Sequence, residues 1–315
     1  MNYVKPTRTA TPARTASPLR AKHAVRRLKL AATLLGALVV FAVIQPGTLR
    51  AAWARIASIM GMDNSQPPVT LNDLPPDFIP RIDALAAQQQ AEFLMQQSID
   101  HSPAAALLVP RYSKAWLGKV SLTPELTGTL GTALNANDLR VRAAAIEVYL
   151  AANKVPKTAS SAQHLSRVID TNPAGRPWAL WMLGALGNRG IEPEKALGKL
   201  SNYIHDSDEQ TRYWTVEGLA QLGTDGTVAP LLDAFRNDPS ADIRERAASS
   251  IAHTGMLDRR QRFTAVPSLI EMAQDPALSS SAKNWVYQAL ADITNERLGH
   301  DPTVWREWWF AHQQR

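Results

Sequence analysis

The 315-residue chain contains no cysteine. Disulfides, thiolate metal sites, cysteine nucleophiles and cysteine-linked lipid anchors are therefore excluded. A thiol-free chain tolerates an oxidising compartment, so this absence does not choose between the two sides of a membrane. Acid is missing from the N-terminus, where the first acidic residue is Asp63. Ten basic residues precede it (Lys5, Arg8, Arg14, Arg20, Lys22, Arg26, Arg27, Lys29, Arg50 and Arg55), so of 34 Lys and Arg only 24 stand against all 28 Asp and Glu. The body is thus mildly acidic, whereas a nucleic-acid binder carries its basic footprint on the folded domain. Nucleic acid is not an expected partner.

Recognisable catalytic patterns are also lacking. None of the seven histidines, His23, His101, His164, His205, His253, His300 and His312, shares metal-ligand spacing with another on one helix, and there is no His-Glu-x-x-His. His205 beside Asp206 and Asp208 reads as a solvated turn. A phosphate-binding Gly-x-x-x-x-Gly-Lys loop and a Gly-x-Ser-x-Gly elbow are both absent, and Gly223-Thr224-Asp225-Gly226 reads as a turn between helices. No nucleophile, base and orienting group can be assembled from spacing alone. The expectation is a protein that is not an enzyme, with no cofactor and no metal.

Charge vanishes between Lys29 and Arg50, where Leu30 to Ile44 (LAATLLGALVVFAVI) is almost wholly apolar. With its flanks the stretch reaches roughly 20 residues, enough to cross the hydrocarbon core as a helix. The basic lead favours an uncleaved signal anchor over residues 30–49, with the tail (1–29) held in the cytoplasm by the positive-inside rule. The competing reading is a secretory signal cleaved near Ala52-Trp53-Ala54; its basic lead is long and Arg50 sits awkwardly before the cut. An organellar transit peptide ranks third, because Pro6, Pro12 and Pro18 interrupt any amphipathic helix. These features place the chain in the inner (cytoplasmic) membrane as a single-pass protein, with its body periplasmic or otherwise extracytoplasmic. Residues 50–81, proline-rich and aperiodic over DNSQPPVTLNDLPPDFIP (63–80), read as a juxtamembrane linker.

From about Ile82 the pattern is helical, and it repeats. RPWALWMLGALG, RYWTVEGLAQLG and RERAASSIAHTG, starting at Arg176, Arg212 and Arg244, align without gaps and end on Gly187, Gly223 and Gly255. KNWVYQALADIT from Lys283 keeps the pattern, and LRVRAAAIEVYLAAN (139–153) is an earlier copy of ambiguous register. Marker spacings of 36, 32 and 39 residues lie in the helical-solenoid range. A second amphipathic stretch precedes each marked helix, at 125–135, 162–170, 193–204, 227–237 and 265–274. Capping chemistry predicts the boundaries: a box from Ser207 to Gln210, N-caps at Thr123, Asp238 and Asp301 before prolines, and left-handed ends at Gly187, Gly223 and Gly255. One pair cannot bury its apolar face alone, so neighbours must stack.

The Asp/Asn, hydrophobic-Arg, Ala-Ala-x-x-Leu and closing Leu-Gly pattern, best kept in 206–223 and 238–255, resembles a HEAT repeat over roughly residues 120–300. The tail ADITNERLGHDPTVWREWW (291–309) is similar to the closing segment of some bacterial HEAT-repeat proteins. The resemblance implies an all-α, right-handed α-solenoid used as a scaffold or adaptor for a protein partner. Its expected parts are an N-terminal helical cap or degenerate pair (82–124), HEAT-like repeats (125–300) and a C-terminal capping helix (301–315).

Trp178, Trp214, Arg246 and Trp285 occupy one repeat position, and steps of three and seven residues add Trp181, Glu217, Ser249 and Gln288, then Ala185, Gln221, His253 and Asp292. The mixed polarity points to a stripe lining a groove. Trp178, Trp181, Trp214, Glu217, Arg246, His253 and Trp285 are the candidates for contacting the partner, against the alternative that the indoles pack between repeats. A rival reading is a ligand-binding or ligand-modifying protein whose shelf is Trp178, Trp181 and Trp214, with Glu217 or Asp292 for acid–base work. Arg176, Arg212 and Arg244 read as a structural ladder, paired with Asp206 or Asp208 (Arg212) and Asp242 (Arg244). Trp305, Trp308 and Trp309 share a helical face that would seal the last repeat.

Overall fold

A computed structural model describes residues 69–100 and 102–313. The basic lead, the apolar stretch 30–49 and the first part of the linker lie outside them. Among the described residues no helix is long and apolar enough to cross a membrane, and every regular element is helical.

The helices fall into two groups, each around its own core. In the first, a 3₁₀ turn (Leu71–Asp73) leads to α1 (Phe78–Asp83), α2 (Ala87–Asp100), a 3₁₀ stretch (Pro103–Leu108), α3 (Val109–Trp116), α4 (Pro124–Leu134) and α5 (Leu139–Ala152). Leu94, Met95, Leu108, Trp116, Leu126 and Leu130 fill the space between them. The expected linker therefore ends early: Leu74, Phe78 and Ile82 are buried in this core. Pro75, Pro76 and Pro80 did not prevent folding, because the apolar residues between them have a surface to cover.

The second group is a row of helix pairs: α6 (Ala159–Thr171) with α7 (Arg176–Asn188), α8 (Pro193–Ser201) with α9 (Glu209–Leu222), and α10 (Val228–Asn237) with α11 (Ala241–Ala252). The short α12 (Arg259–Phe263) follows, then α13 (Val266–Gln274) with α14 (Ser280–Thr294), and finally α15 (Pro302–Gln313). Short polar residues start these helices by capping free amides. Thr158 accepts the Ser161 N–H, Asp208 the Thr211 N–H and Ser279 the Ala282 N–H. The cap of α9 is Asp208, one residue beyond the expected Ser207, because the carboxylate also takes the Thr211 hydroxyl at 2.7 Å. The N-cap position of α11 is Ser240 rather than Asp238; its hydroxyl makes no capping bond and donates to Glu209, while Asp238 accepts from Arg212 and from the Ser240 amide.

Two of the three expected left-handed glycines take that conformation, Gly223 (φ 58°) and Gly255 (φ 69°). Gly187 stays helical, and Gly190 (φ 85°) makes the turn three residues later. Gly187 is instead needed for space, since a Cβ there would lie 2.6 Å from Leu222 Cδ1. The tightest seam is between α7 and α9, where a Cβ on Gly184 would stand 2.0 Å from the carbonyl oxygen of Gly218. These two backbones meet with no side chain between them.

Helix α5 belongs to both cores. Val141, Ala144, Ala145, Val148 and Ala151 pack in the first, while Ile146 and Leu150 pack in the second. Nine of its 14 residues are buried, as expected of a helix apolar on every side. It does not continue the row as a regular copy. Tyr149 meets Trp181 of α7 edge-on (ring centroids 5.2 Å), and Arg142, two turns earlier, donates to the carbonyl of Gly255 beyond α11. That loop is folded back on α9, with the Met256 N–H donating to Ala220 O at 2.8 Å. Helix α5 thus crosses the row and ties it to the N-terminal group.

Candidate partner-binding groove

The stripe expected from the repeat register separates into a closed part and an open part. Trp178, in the first turn of α7, is 38% exposed, and its indole N–H donates to Asn153 Oδ1 at 3.1 Å. Trp181, one turn on, is half-buried against the core beneath Tyr149. Trp214 of α9 is half-buried and meets Tyr213 edge-on at 5.8 Å. Trp285 of α14 is half-buried and borders a cleft between α11 and α14. Trp181, Trp214 and Trp285 therefore lend one face to packing between neighbours, and Trp178 is the most open of the set.

Glu217 lies in the closed part, only 9% exposed. Its carboxylate accepts both the Nε and Nη2 of Arg246 on α11, the latter at 3.0 Å. Burial pushes the Arg246 guanidinium down, but the hydrogen bond and charge of Glu217 outweigh it and hold it above its ordinary value. Arg246 thus clamps α11 to α9 and is not a free recognition group. Gln221, one turn beyond Glu217, is also buried. Arg142 of α5 approaches the same region, its guanidinium lowered to about 10 by burial and then by the charge of Arg246.

Polar chemistry the repeat pattern did not reveal gathers where α5 meets the row. Glu147, 4% exposed, accepts the Ser113 hydroxyl at 2.9 Å and Lys157 Nζ at 2.8 Å, and Arg189 Nε stands 4.0 Å away. Asn188 Oδ1, Arg189 Nε, Gln221 Oε1 and Thr224 Oγ1 are buried with no hydrogen-bond partner among the described residues. All four sit at the C-terminal ends of α7 and α9. Below them Arg262 donates to the carbonyls of Ser250, Ile251, Thr254 and Leu257, closing the end of α11. Burial, and then the charge of Arg142, lowers it to about 9. A single Glu or Arg inside an apolar helix is the only signal these clusters leave in the sequence.

The arginine ladder ties the two helices of each pair together through carbonyls, and reaches the next pair through carboxylates. Arg176 Nε donates to Ile169 O, Arg212 Nη1 to Asp206 O, and Arg244 Nη1 to Asp238 O, at 2.8, 2.9 and 2.7 Å. Arg176 and Arg244 close the end of the helix before them, and Arg212 closes the turn that follows α8. Arg212 also reaches forward to the buried Asp238 carboxylate at 2.9 Å, and Arg176 stands 4.0 Å from Asp206. The expected carboxylates for Arg212, Asp206 and Asp208, are displaced by Asp238 of the following repeat. Arg244 takes the carbonyls of Asp238 and Pro239 rather than Asp242. Adjacency in sequence misled here because a guanidinium at the second helix points back along the turn and across to the next pair.

His253, at the end of α11, is exposed, with Ser249 Oγ 3.4 Å from its Nε2 and Asp292 Oδ2 of α14 3.5 Å from its Nδ1. At the end of the row Trp305 is 1% exposed and its indole donates to Gly299 O at 2.9 Å. Trp308 and Trp309 lie against Phe263 of α12, with ring centroids at 6.4 and 5.8 Å, so α15 covers the last pair.

Paired helices stacked through a continuous core, with guanidinium ties between successive pairs, define a helical-repeat solenoid. Residues 162–252 match the family model described as HEAT repeats, in agreement with the paired helices α6 to α11 found there. No curated protein matches the chain.

Proposed function

We propose that the chain is a membrane-anchored scaffold or adaptor whose HEAT array stands outside the cytoplasm and holds a protein partner. In this reading residues 30–49 anchor it, and the basic tail before them stays at the cytoplasmic face. The partner sits along the open rim where Trp178, Trp214 and Trp285 begin the second helices. The observation that carries the reading is Trp178, a large indole left 38% exposed at the edge of an otherwise well-filled array. An exposed, anchored aromatic is the residue type on which protein interfaces concentrate their energy. The closed part of the stripe, Glu217 and Arg246, holds the rim in place.

Crosslinking in the native host, followed by affinity purification of wild type and Trp178→Ala/Trp214→Ala, tests this. One envelope protein retained by wild type and lost in the variant is the expected result. Equal capture by both would remove the rim from the interface. Membrane fractionation of the full chain with and without residues 30–49 tests the anchor: loss of the protein from the membrane pellet on deletion is expected, and an unchanged pellet would overturn it.

A further inference from the structure

The cleft between α11 and α14 shares Trp285 with the proposed rim, and brings beside it a hydroxyl, an imidazole and a carboxylate whose meeting the scaffold reading does not require. Ser249 and His253 lie one turn apart at the end of α11, and Asp292 comes from the last turns of α14, in the next pair. The ring of His253 lies between them. Its Nε2 faces the Ser249 hydroxyl at 3.4 Å and its Nδ1 faces the Asp292 carboxylate at 3.5 Å. That polarity is the one acyl-transfer chemistry needs: a carboxylate on Nδ1 keeps the proton there and leaves Nε2 as the base toward the hydroxyl. Spacings of this length in an unliganded site shorten to hydrogen bonds when substrate excludes water.

All three side chains line one cleft of about 240 Å³, together with Trp285, Gln288 and Glu245. The Trp285 indole N–H and the Gln288 amide hold no hydrogen-bond partner among the described residues, so both can donate to a substrate oxygen. Neither His253 nor Asp292 is sealed, at 54% and 38% side-chain exposure, so a small molecule reaches them directly. Glu245 places a negative charge on the wall and disfavours anionic acyl groups.

We propose that this cleft is a hydrolytic site for small neutral or cationic carboxylic esters. Ser249 Oγ attacks the ester carbonyl carbon as His253 Nε2 removes its proton, and Asp292 stabilises the imidazolium through Nδ1–H. The tetrahedral oxyanion is met by the donors of Trp285 and Gln288. Collapse breaks the bond to the alkoxy oxygen, which leaves as the alcohol with the proton from Nε2, and Ser249 is acylated. Water then attacks the acyl-enzyme, giving its proton to Nε2. The carboxylic acid departs and Ser249 recovers its proton. No oxidant, metal or cofactor enters the balance.

The test treats the full chain with a fluorophosphonate probe and maps the adduct by peptide mass spectrometry, beside hydrolysis of p-nitrophenyl butyrate. The expected result is an adduct on Ser249, lost in Ser249→Ala, with labelling rate and kcat both falling on the order of 100-fold in His253→Ala while KM holds. No adduct on Ser249 in the wild type overturns the proposal. So does labelling that His253→Ala leaves unchanged, or ester turnover equal in wild type and Ser249→Ala. Ser249→Cys guards against loss of the fold, because its alkylation by iodoacetamide must slow when His253 is also removed. An alkylation rate indifferent to His253 counts against the site. Since the cleft does not use Trp178 or Trp214, its failure leaves the scaffold reading standing, and the converse holds.

Discussion

The guanidinium of Arg142 donates to the carbonyl of Gly255, 113 residues further along the chain. It also donates to Ala136 O, in the turn before its own helix. One buried side chain thereby joins the N-terminal helices to the loop that closes α11. Removing it strands the buried Gly255 carbonyl and leaves the half-buried Ala136 carbonyl without its donor, and buried bonds to a charged donor are worth about 1.5–3 kcal/mol each. Arg142→Met is expected to cost about 2–4 kcal/mol in urea unfolding. Arg142→Lys is expected to recover little, since a point charge cannot serve two directions at once. Faster hydrogen exchange in α5 than in α9 would locate the loss at this junction.

The contact between Gly184 and Gly218 sets the spacing of α7 and α9. A methyl group on Gly184 has no flexible neighbour to displace, because it meets backbone at 2.0 Å. Gly184→Ala therefore has to push the two helices apart along the seam. A loss of about 2–4 kcal/mol is expected, at the upper end of overpacking, although alanine is the better helix former by about 1 kcal/mol. Gly198→Ala in α8, where a Cβ meets nothing within 4 Å, is the matched control and should not destabilise. Comparing their thermal midpoints decides it.

The two seams differ in how legible they were. Repeats built on Arg176, Arg212 and Arg244 could be read from spacing, because each copy buries the same face against the next and so keeps the same letters. The row α6 to α11 follows from that, as does the sealing role of Trp305. Helix α5 could not be read so, because burial on two sides removes the polar stripe that fixes a register. Its sequence announces a buried helix without saying what buries it. The stripe already holds Ser249, His253 and Asp292, but their meeting could not be read for a related reason: three and seven residues along one helix show which side chains share a stripe, and not which meet across two repeats.

Trp178 and Trp181 separate binding from packing within a single turn. Trp178 has one hydrogen bond and an open face, so Trp178→Ala is expected to cost less than about 1 kcal/mol. Trp181 packs against Tyr149 and the core, and Trp181→Ala is expected to cost about 2 kcal/mol, a partly buried indole giving less than the full large-to-small loss. Partner capture should follow the opposite order. A Trp178→Ala variant as unstable as Trp181→Ala would mean that the rim is part of the core.

Acid should weaken the fold through four exposed or half-exposed carboxylates. Hydrogen bonds from Lys199 and Tyr203 hold Asp170 below its ordinary value, and the Thr211 hydroxyl and amide do the same for Asp208. Gln261 and Arg260 lower Asp225, while the Ala277 amide and Arg236 lower Asp275. In each case the unfolded chain takes up its proton first, near 3.8, so the contribution is complete above that pH and disappears as pH falls through the lower folded value. The urea midpoint of the wild type is expected to be level from pH 7 to about 5 and to drop toward pH 3. Asp170→Asn with Asp208→Asn should begin lower and fall less steeply. Equal slopes in both proteins would sever the link between these bonds and acid stability.

Trp305 ends the array, and its burial tests whether α15 is a cap or an appendage. The indole is almost wholly enclosed and spends its N–H on Gly299 O. Trp305→Ala removes that bond and opens a cavity under the last helix, for which about 3–5 kcal/mol is expected. In a linear array each repeat leans on its neighbours, so the loss should spread inward from the end. Limited proteolysis should then cut first in α15 and next in α13 and α14, leaving α6 to α9 protected longest. Trp309→Ala, on a side chain only half-buried against Phe263, should show the same order of cleavage at a slower rate. Simultaneous cleavage throughout the row would instead show that its pairs unfold as one unit, held together by the α5 crossing.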